Sequence, residues 1–246
     1  MNETSVIAPT SSNTNVEENN SADVAAVEVS ECEYDIVFNQ SHFNDWLEKL
    51  KQSSAFAFDT ETTSVDYMKA ELVGLLESSD IKKIGQNLKY DANVLSQYHI
   101  KLQGVAFDTM IESYCYNSVA TRHNMDALAL KYLGYKTVHF EDVAGKGAKQ
   151  LTFNQIDIDK AGHYAAEDAD ITLRLHQAIF PALEKSPKQL NVFNDIEMPL
   201  MPVLAQMEQT GVLIDCDLLD QQSHSIGQRL DELEIEAHNL AGKSFN

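Results

Sequence analysis

Short apolar runs and helical apolar spacings alternate through the middle of the chain. Three runs predict strands: AFAF ahead of Asp59, IKKIG over residues 81–85 and GVAFD over residues 104–108. Between the first two runs, apolar positions such as Leu72 and Leu75 recur with helical spacing. Parallel neighbouring strands need a crossover of about a dozen residues or more, usually a helix, so this order favours an α/β fold.

The first 33 residues differ from everything that follows. They are rich in Asn, Ser, Thr, Val and Glu and contain no aromatic residue, which predicts a disordered acidic tail. Order is expected to begin with a short strand over residues 34–38. A helix capped by Ser41 is predicted next. Its apolar face consists of Phe43, Trp46, Leu47 and Leu50.

Helical patterns also follow the second and third strands. They cover residues 87–98, 109–117, 124–134 and 159–185, and Gly134 is a plausible C-cap for the third of them. The first of these helices places Leu88, Asp91 and Leu95 on one face.

The pattern changes near residue 187, where we predict a domain boundary. Pro199 and Pro202 are expected to kink an apolar helix. VLID over residues 212–215 predicts a short strand, and residues 217–240 predict a polar amphipathic helix. The predicted organisation is therefore a tail over residues 1–33, a first domain over residues 34–187 and a second over residues 188–246.

The formal net charge of −20 at first argues against a nucleic-acid partner, because binding phosphates usually needs a basic footprint. The distribution of charge weakens this objection. Residues 1–35 and 191–246 carry −8 each, whereas residues 36–190 carry only −4. A domain that uses several acids to bind metal ions can still have a basic groove.

Three widely spaced cysteines, Cys32, Cys115 and Cys216, form no C-x-x-C pattern, which fits free thiols in a reducing compartment. The N-terminus lacks the basic start and apolar run of a signal peptide, and no stretch approaches about 18 continuous apolar residues. These features predict a soluble cytoplasmic protein.

Candidate chemistry begins at the end of the first strand. Asp59 and Glu61 are two residues apart, and alternate residues of a strand point to the same face. Paired carboxylates suit hard divalent cations such as Mg²⁺, and a two-metal site needs several clustered acids. Solvated acids at a strand exit are the alternative interpretation of this pair.

A second candidate pair lies on the helix predicted over residues 159–185. Tyr164 and Asp168 are four residues apart, so their side chains share a helix face. Burying a carboxylate beside a phenol is costly unless a cation compensates it. A simple hydrogen bond on the helix surface is the alternative.

Taken in order, these features form one pattern: D-x-E on a strand, N-x-x-Y-D at the start of a helix and Y-x-x-x-D on a later helix. It resembles the proofreading 3′-5′ exonucleases of the DEDDy type, which have a ribonuclease H-like fold. The chain is similar to the exonuclease domain of bacterial family A DNA polymerases (DNA polymerase I) from about Tyr34 to its last residue. The resemblance is carried by FDTET, GQNLKYD, FDTM, NSVATRH, AGKGAKQLTFNQI and YAAEDADITL.

The resemblance implies a catalytic set and two divalent metal ions, Mg²⁺ or alternatively Mn²⁺. Asp59, Glu61 and Asp168 would be metal ligands, with Asp59 bridging both ions. Asp91 would act on the second ion through its water shell. Tyr164 would orient the attacking water. The implied reaction is hydrolysis of nucleotides from a single-stranded DNA 3′ end.

The resemblance also implies contacts with the substrate. Gln86 and Asn87 would hydrogen-bond the terminal nucleotides, Val65 and Phe140 would pack on bases, and Arg122 would meet a phosphate. Stacking on an aromatic ring tolerates any base, which proofreading requires. For Phe140 a core position is the alternative, and for Arg122 a surface position.

Two departures from the family qualify these expectations. Between Gly74 and Leu75 the family normally has a longer segment with two antiparallel strands, so we expect a shortened mixed sheet flanked by helices, in which the Asp59 strand is an edge. The far end resembles the helical start of a polymerase domain, but the chain stops at Asn246 before any palm residue. A polymerase domain outside this chain is therefore a candidate partner.

Two other functions remain open from the sequence. The shortened sheet leaves room for a catalytically impaired DNA-binding or scaffolding remnant of DNA polymerase I. A ribonuclease D-like RNA exonuclease is a further alternative, against which the AGKGAKQLTF segment and the polymerase-like tail argue.

Overall fold

The computed structural model describes residues 32–61 and 70–245 of the chain. Three strands form a sheet in the order β1-β2-β3, and both neighbouring pairs are parallel. The strands are β1 (Ala55–Ala57), β2 (Lys82–Gly85) and β3 (Val105–Asp108). The predicted α/β class is confirmed, with a small sheet that is parallel and not mixed among the described residues.

The described residues also form ten α-helices. In chain order they are α1 (Gln40–Gln52), α2 (Ala70–Leu76), α3 (Leu88–Ser96), α4 (Thr109–Tyr116), α5 (Met125–Leu128), α6 (Phe140–Ala144), α7 (Ile158–Glu184), α8 (Pro187–Val192), α9 (Met198–Thr210) and α10 (Cys216–Ala241). The turns of α5 continue as π-helix over Ala129–Leu133 and end at Gly134, whose φ of 63° lies in the left-handed region that glycine adopts without strain.

The long helix α7 organises the core. It packs against β1, β2 and α4 and against the helix that begins at Met125. One buried cluster joins this helix to α7 and contains Leu128, Ala129, Tyr132, Ile171, Leu175 and Ile179. A second cluster of Leu76, Leu95 and Ile100, with Phe56 and Phe58 packed against it, joins α2 and α3 to β1. The apolar spacings that predicted these helices are therefore the positions that bury them.

Asp108 ties the end of β3 to the starts of two helices. Its buried carboxylate accepts hydrogen bonds from the backbone N–H groups of Asn87 and Leu88 at the start of α3, and of Met110 and Ile111 in α4. The first N–H groups of a helix have no partner within the helix, so one side chain here satisfies donors of two helices. Burial nevertheless raises the pKa of Asp108.

Three local predictions are wrong. Residues 34–38 form no strand; Tyr34 instead donates to Asp170 of α7 at 3.0 Å, and the space beside Gly162 of α7 is filled by Ile36. The cap of α1 is Asn39 and not Ser41, since the Asn39 side chain accepts from the backbone N–H of His42. Residues 212–215 are exposed and form no strand. Among the described residues, neither of these two segments is part of the sheet.

Contacts divide the chain into two compact units, Met1–Ala205 and Gln206–Asn246. The second unit consists of the end of α9, an irregular segment and α10. In α10 the side chains are almost all exposed, including apolar ones such as Ile226 and Leu230. Among the described residues, no helix combines the length and the apolar character that crossing a membrane would require.

Candidate active site

Three carboxylates meet where the first strand ends. Asp59 and Glu61 follow β1 directly, and Asp168 lies on α7, which packs against that strand. One oxygen from each side chain can be chosen so that the three all lie within 4.8 Å of one another. Asp59 is exposed, Glu61 is partly buried and Asp168 is buried, so the cluster opens to solvent on one side. The predicted D-x-E pair and the acid of α7 are therefore together in space.

A fourth acid, Asp91, is attached to the same strand end. It lies in the first turns of α3 with only 2% of its surface exposed. Its Oδ1 accepts two hydrogen bonds from Thr60, one from the backbone N–H at 3.1 Å and one from the hydroxyl at 2.6 Å. Thr60 stands between Asp59 and Glu61, so these bonds hold Asp91 next to the other acids.

Every acid of this group has a raised pKa. Desolvation raises the pKa of Glu61 to about 7, with repulsion from Asp59 and Asp91 adding to it. Desolvation likewise raises the pKa of Asp168 to about 8, and repulsion from Asp59 and Glu61 contributes. The pKa of Asp91 rises to about 7, again chiefly through desolvation, although the hydroxyl of Thr60 opposes the shift. Asp59 is exposed as a whole residue, yet partial desolvation of its carboxyl group also raises its pKa.

This donor set fits divalent cations. Carboxylate oxygens are the ligands that Mg²⁺ and Mn²⁺ prefer, and several acids packed together without a cation repel one another and resist ionisation. Desolvation is the main cause of the raised pKa values of Glu61, Asp91 and Asp168, and repulsion among the acids adds to it. A bound cation would reverse it, because it favours the ionised form of each ligand.

Tyr164 lies one helical turn before Asp168 and shares a hydrogen bond with it. Desolvation, together with the nearby Asp168, Glu61 and Asp59, raises the pKa of the phenol well above its usual value. The ring is held by edge and tilted contacts with Phe140 and Phe153, at centroid distances of 6.2 and 6.4 Å. The phenol therefore remains a proton donor at neutral pH, fixed beside the acids.

A family profile described as 3′-5′ exonuclease matches this chain over residues 34–76 and 66–184. The chain belongs to this exonuclease family. DNA polymerase I of Pseudomonas aeruginosa is 48% identical over 256 aligned residues, which cover 88% of this chain and 28% of that protein. DNA polymerase I of Rhizobium leguminosarum is 35% identical over 255 aligned residues, which cover 82% of this chain and 25% of that protein. The chain thus spans about a quarter of the length of these curated relatives. The predicted family is confirmed.

Solved structures share the fold of the exonuclease family. A structure titled as the POL domain of Pol1 from M. smegmatis in complex with DNA primer-template and dNTP matches 85% of this chain and 38% of that chain, with a TM-score of 0.60 and 18% identity. Brucella melitensis NrnC matches 66% of this chain and 88% of that chain, with a TM-score of 0.50 and 18% identity. These likenesses support the ribonuclease H-like fold predicted from the sequence motifs.

The residues predicted to contact substrate in this exonuclease domain lie in different surroundings. Gln86 follows β2, and its amide is held at both ends: Thr109 donates to Oε1, and Nε2 donates to the carbonyl of His123 at 2.9 Å. Asn87 has a positive φ of 60° and precedes α3. Arg122 is exposed. Val65 lies outside the described residues.

Phe140 is partly buried and lies next to Tyr164. It packs against a cluster of Ala144, Ile156 and Ala161, and it also contacts the ring of Tyr164. The described contacts therefore place it in a small core beside the acids, and the base-packing role remains a prediction.

Three supporting residues were not anticipated from the sequence. Thr60 holds Asp91, and the signal for it was its position inside D-T-E. His123 accepts from Gln86 through its carbonyl, a contact that no local pattern indicates. For Glu167, next to Asp168, the sequence allows either a solvent-facing or a supporting position; it is buried and accepts from the hydroxyl of Tyr135 at 2.6 Å and from the backbone N–H of Val138 at 2.8 Å. Exposure of Glu167 is therefore excluded.

Proposed function

We propose that this chain is a metal-dependent 3′-5′ exonuclease that hydrolyses nucleotides from single-stranded 3′ ends of DNA. The observation that carries the proposal is the grouping of Asp59, Glu61 and Asp168, whose oxygens approach within 4.8 Å, beside the clamped Asp91. A phosphodiester is itself anionic, so four carboxylates would repel it unless cations lie between them. Membership of the 3′-5′ exonuclease family supports the direction of the reaction.

In this proposal Asp59, Glu61 and Asp168 hold the ions, and Asp91 serves the second one. Bound Mg²⁺ or Mn²⁺ would supply Lewis-acid activation of water and charge neutralisation at the phosphodiester. The protein contributes a rigid arrangement of its own: Thr60 fixes one oxygen of Asp91, and the packing of α7 against β1 fixes Asp168 relative to Asp59.

Tyr164 acts in this proposal by orienting water and not by removing its proton. Its pKa is raised above the ordinary value near 10, so the phenolate is not accessible at neutral pH. The hydroxyl is tied to Asp168 by a hydrogen bond and can position a water molecule near that carboxylate. Phe140 and Phe153 limit movement of the ring, so the position of the hydroxyl is well defined.

The expected substrate is the frayed 3′ end of DNA. The two curated relatives described above are DNA polymerases, which supports DNA over RNA as the substrate. A polymerase domain is the partner that would deliver such ends. Asn87 and Arg122 are the residues we expect to meet the terminal nucleotides and a phosphate. Electrostatic attraction to the backbone would make this binding sensitive to salt.

The direct test is cleavage of a 5′-labelled single strand by the purified chain with Mg²⁺. We expect stepwise shortening from the 3′ end, loss of activity in EDTA, and loss in the variants Asp59→Ala and Asp168→Ala. Glu184→Gln, which changes an exposed acid at the far end of α7, is the matched control and should retain activity. Cleavage that persists in both active-site variants would contradict the assignment, and an RNA strand of the same sequence tests the choice of substrate.

A second candidate function is a non-catalytic remnant that binds DNA or serves as a scaffold. It is favoured by the shape of the sheet, since β1 has three residues and, among the described residues, pairs only with β2. The alignment with the Pseudomonas aeruginosa relative takes in 256 positions, more than the 246 residues of the whole chain, so that relative contains positions absent here. This candidate predicts no cleavage and no gain in melting temperature when Mn²⁺ is added, whereas an assembled site gains stability with the ion concentration.

A further inference from the structure

The side chain of His123 makes two contacts that hold the segment between α4 and α5, residues 117–124. His123 Nε2 lies 3.0 Å from the carbonyl of Ser118, and its Nδ1 lies 2.9 Å from the hydroxyl of Ser113 on α4. A carbonyl can only accept, so Nε2 carries the proton and Nδ1 accepts from Ser113. The imidazole therefore closes the segment onto itself and anchors it to a helix whose Ser113 is fully buried.

The backbone of His123 reaches toward the acidic cluster. Its carbonyl accepts from Gln86 Nε2 at 2.9 Å, while Thr109 binds the other end of the same amide. In the sheet, Ala57 of β1 pairs with Ile84 of β2, and Phe58 donates to the Ile84 carbonyl at 3.2 Å. Extended by two residues beyond the pair of Ala57 and Ile84, this register would put Gln86, which directly follows β2, opposite Asp59. The imidazole, the Gln86 amide and the acid-bearing strand end thus form one connected structure.

This arrangement requires an unusual backbone conformation. His123 has a φ of 60°, in the left-handed region that non-glycine residues adopt uncommonly, although Asn, Asp and His do so more often than the rest. Such a conformation persists only where the surroundings impose it. Here the two imidazole contacts and the carbonyl contact with Gln86 hold the backbone of His123, directly after the exposed Arg122.

We propose that His123 is a positioning residue for the single-stranded substrate: its carbonyl orients the Gln86 amide, and its imidazole contacts fix the backbone that carries the exposed Arg122. The inference rests on the proposed nuclease function. It assigns no chemistry to His123 itself, since the imidazole faces Ser113 and Ser118 and touches no carboxylate of the cluster. Removing the imidazole should therefore weaken the binding of DNA while the binding of metal ions stays the same.

The test is binding of a fluorescein-labelled ten-nucleotide dT strand, measured by anisotropy in Ca²⁺ buffer, together with the rise in melting temperature on adding Mn²⁺. For His123→Ala we expect a Kd about tenfold higher, the effect of losing about one well-placed hydrogen bond, with an unchanged Mn²⁺ response. His123→Asn should recover part of the affinity, because Asn tolerates positive φ. Ser113→Ala, which removes only the anchor on α4, should weaken binding in the same direction and serves if His123→Ala does not fold.

His99→Ala is the matched control, because His99 is exposed and has a φ of 61° but is not part of this network. It should bind DNA like the wild type. The double variant Arg122→Ala/His123→Ala should lose less affinity than the product of the two single effects, because His123 acts in part through Arg122. The inference would be overturned if the increases in Kd of Arg122→Ala and His123→Ala multiplied fully in the double variant. An unchanged Kd in both His123→Ala and Ser113→Ala would also overturn it, as would a wild type that does not bind the strand. A wild type that binds but does not cleave DNA with Mg²⁺ would refute the proposed function alone.

Discussion

Replacing Asp168 by Asn should stabilise the metal-free protein and remove one ligand of the proposed metal site. An unfolded Asp titrates near about 3.9, whereas the folded pKa of Asp168 is about 8. Between these values the folded protein binds more protons than the unfolded chain, so the free energy of unfolding falls as pH rises. At pH 7 the buried carboxyl is mostly protonated, although pH 7 lies about 3 units above the pKa of an unfolded Asp. Keeping the proton on the folded protein therefore costs roughly 4 kcal/mol. Asn is neutral in both states and avoids this cost.

The measurable gain is smaller than this figure. The titrations of the clustered acids are coupled, so part of the destabilisation assigned to Asp168 belongs to its neighbours and remains in the variant. We therefore expect the free energy of unfolding to rise by roughly 2 kcal/mol. For a chain of this size that corresponds to a rise in Tm of about 4 to 8 °C at pH 7. At pH 5 the gap between pH and the unfolded pKa is only about 1 unit, so the rise should be much smaller.

The assay is thermal unfolding in EDTA and in Mn²⁺ at pH 5 and pH 7, for the wild type, Asp168→Asn and the surface control Glu184→Gln. Mn²⁺ should raise the Tm of the wild type and of Glu184→Gln but hardly that of Asp168→Asn, which lacks one ligand. The reasoning would be refuted if Asp168→Asn melted at or below the wild-type temperature at pH 7 in EDTA. It would also fail if Mn²⁺ stabilised this variant as much as the wild type.

Four further outcomes are expected. Mg²⁺ should raise the wild-type Tm more at pH 8 than at pH 5, because binding requires ionised carboxylates. Tyr164→Phe should lower the rate of nuclease cleavage about a hundredfold without changing the Mn²⁺-induced rise in Tm. Thr60→Val should lower the cleavage rate about tenfold and Thr60→Ser much less, since only the serine keeps the hydroxyl that holds Asp91. Gly104→Ala should cost about 2 kcal/mol or more in a urea titration, because φ is +67° and a Cβ would lie 2.5 Å from the Ile81 carbonyl, whereas the open helical position Gly74→Ala should not destabilise.

Sequence periodicity predicted the elements that are long or end in a distinctive residue. The helix α7 and the cap at Gly134 were predicted because a long apolar stripe and a single glycine leave few alternatives. The strand assigned to residues 34–38 was wrong, because a short run of alternating apolar residues packs equally well on a helix, as Ile36 does on α7. Tertiary contacts decide such cases, and they are not visible in a five-residue window.

The acids of the site could be predicted because each belongs to a motif with fixed spacing. The residues that hold them could not. Thr60 donates to Asp91 from a position 31 residues away in the chain, and His123 contacts Gln86 across 37 residues. Both contacts depend on how helices seat against strand ends, which spacing along the chain does not specify. The burial of Glu167 cannot be predicted from spacing either, because its partner Val138 lies 29 residues away in the chain.

The position of the acids within the fold bears on whether a shortened sheet can still support catalysis. An edge strand is the least restrained member of a sheet, and β1 has a neighbour on only one side among the described residues. Among the described residues, however, the contacts that orient the cluster come from other elements: Asp91 is held by Thr60, and Asp168 is carried by α7, which packs on both β1 and β2. The cost of the free edge should therefore fall on the stability of β1 before it falls on the arrangement of the acids. Metal ions held by both Asp59 and Asp168 would join the end of β1 to α7 and offset that cost, so we expect the stability of this chain to rise with the metal concentration.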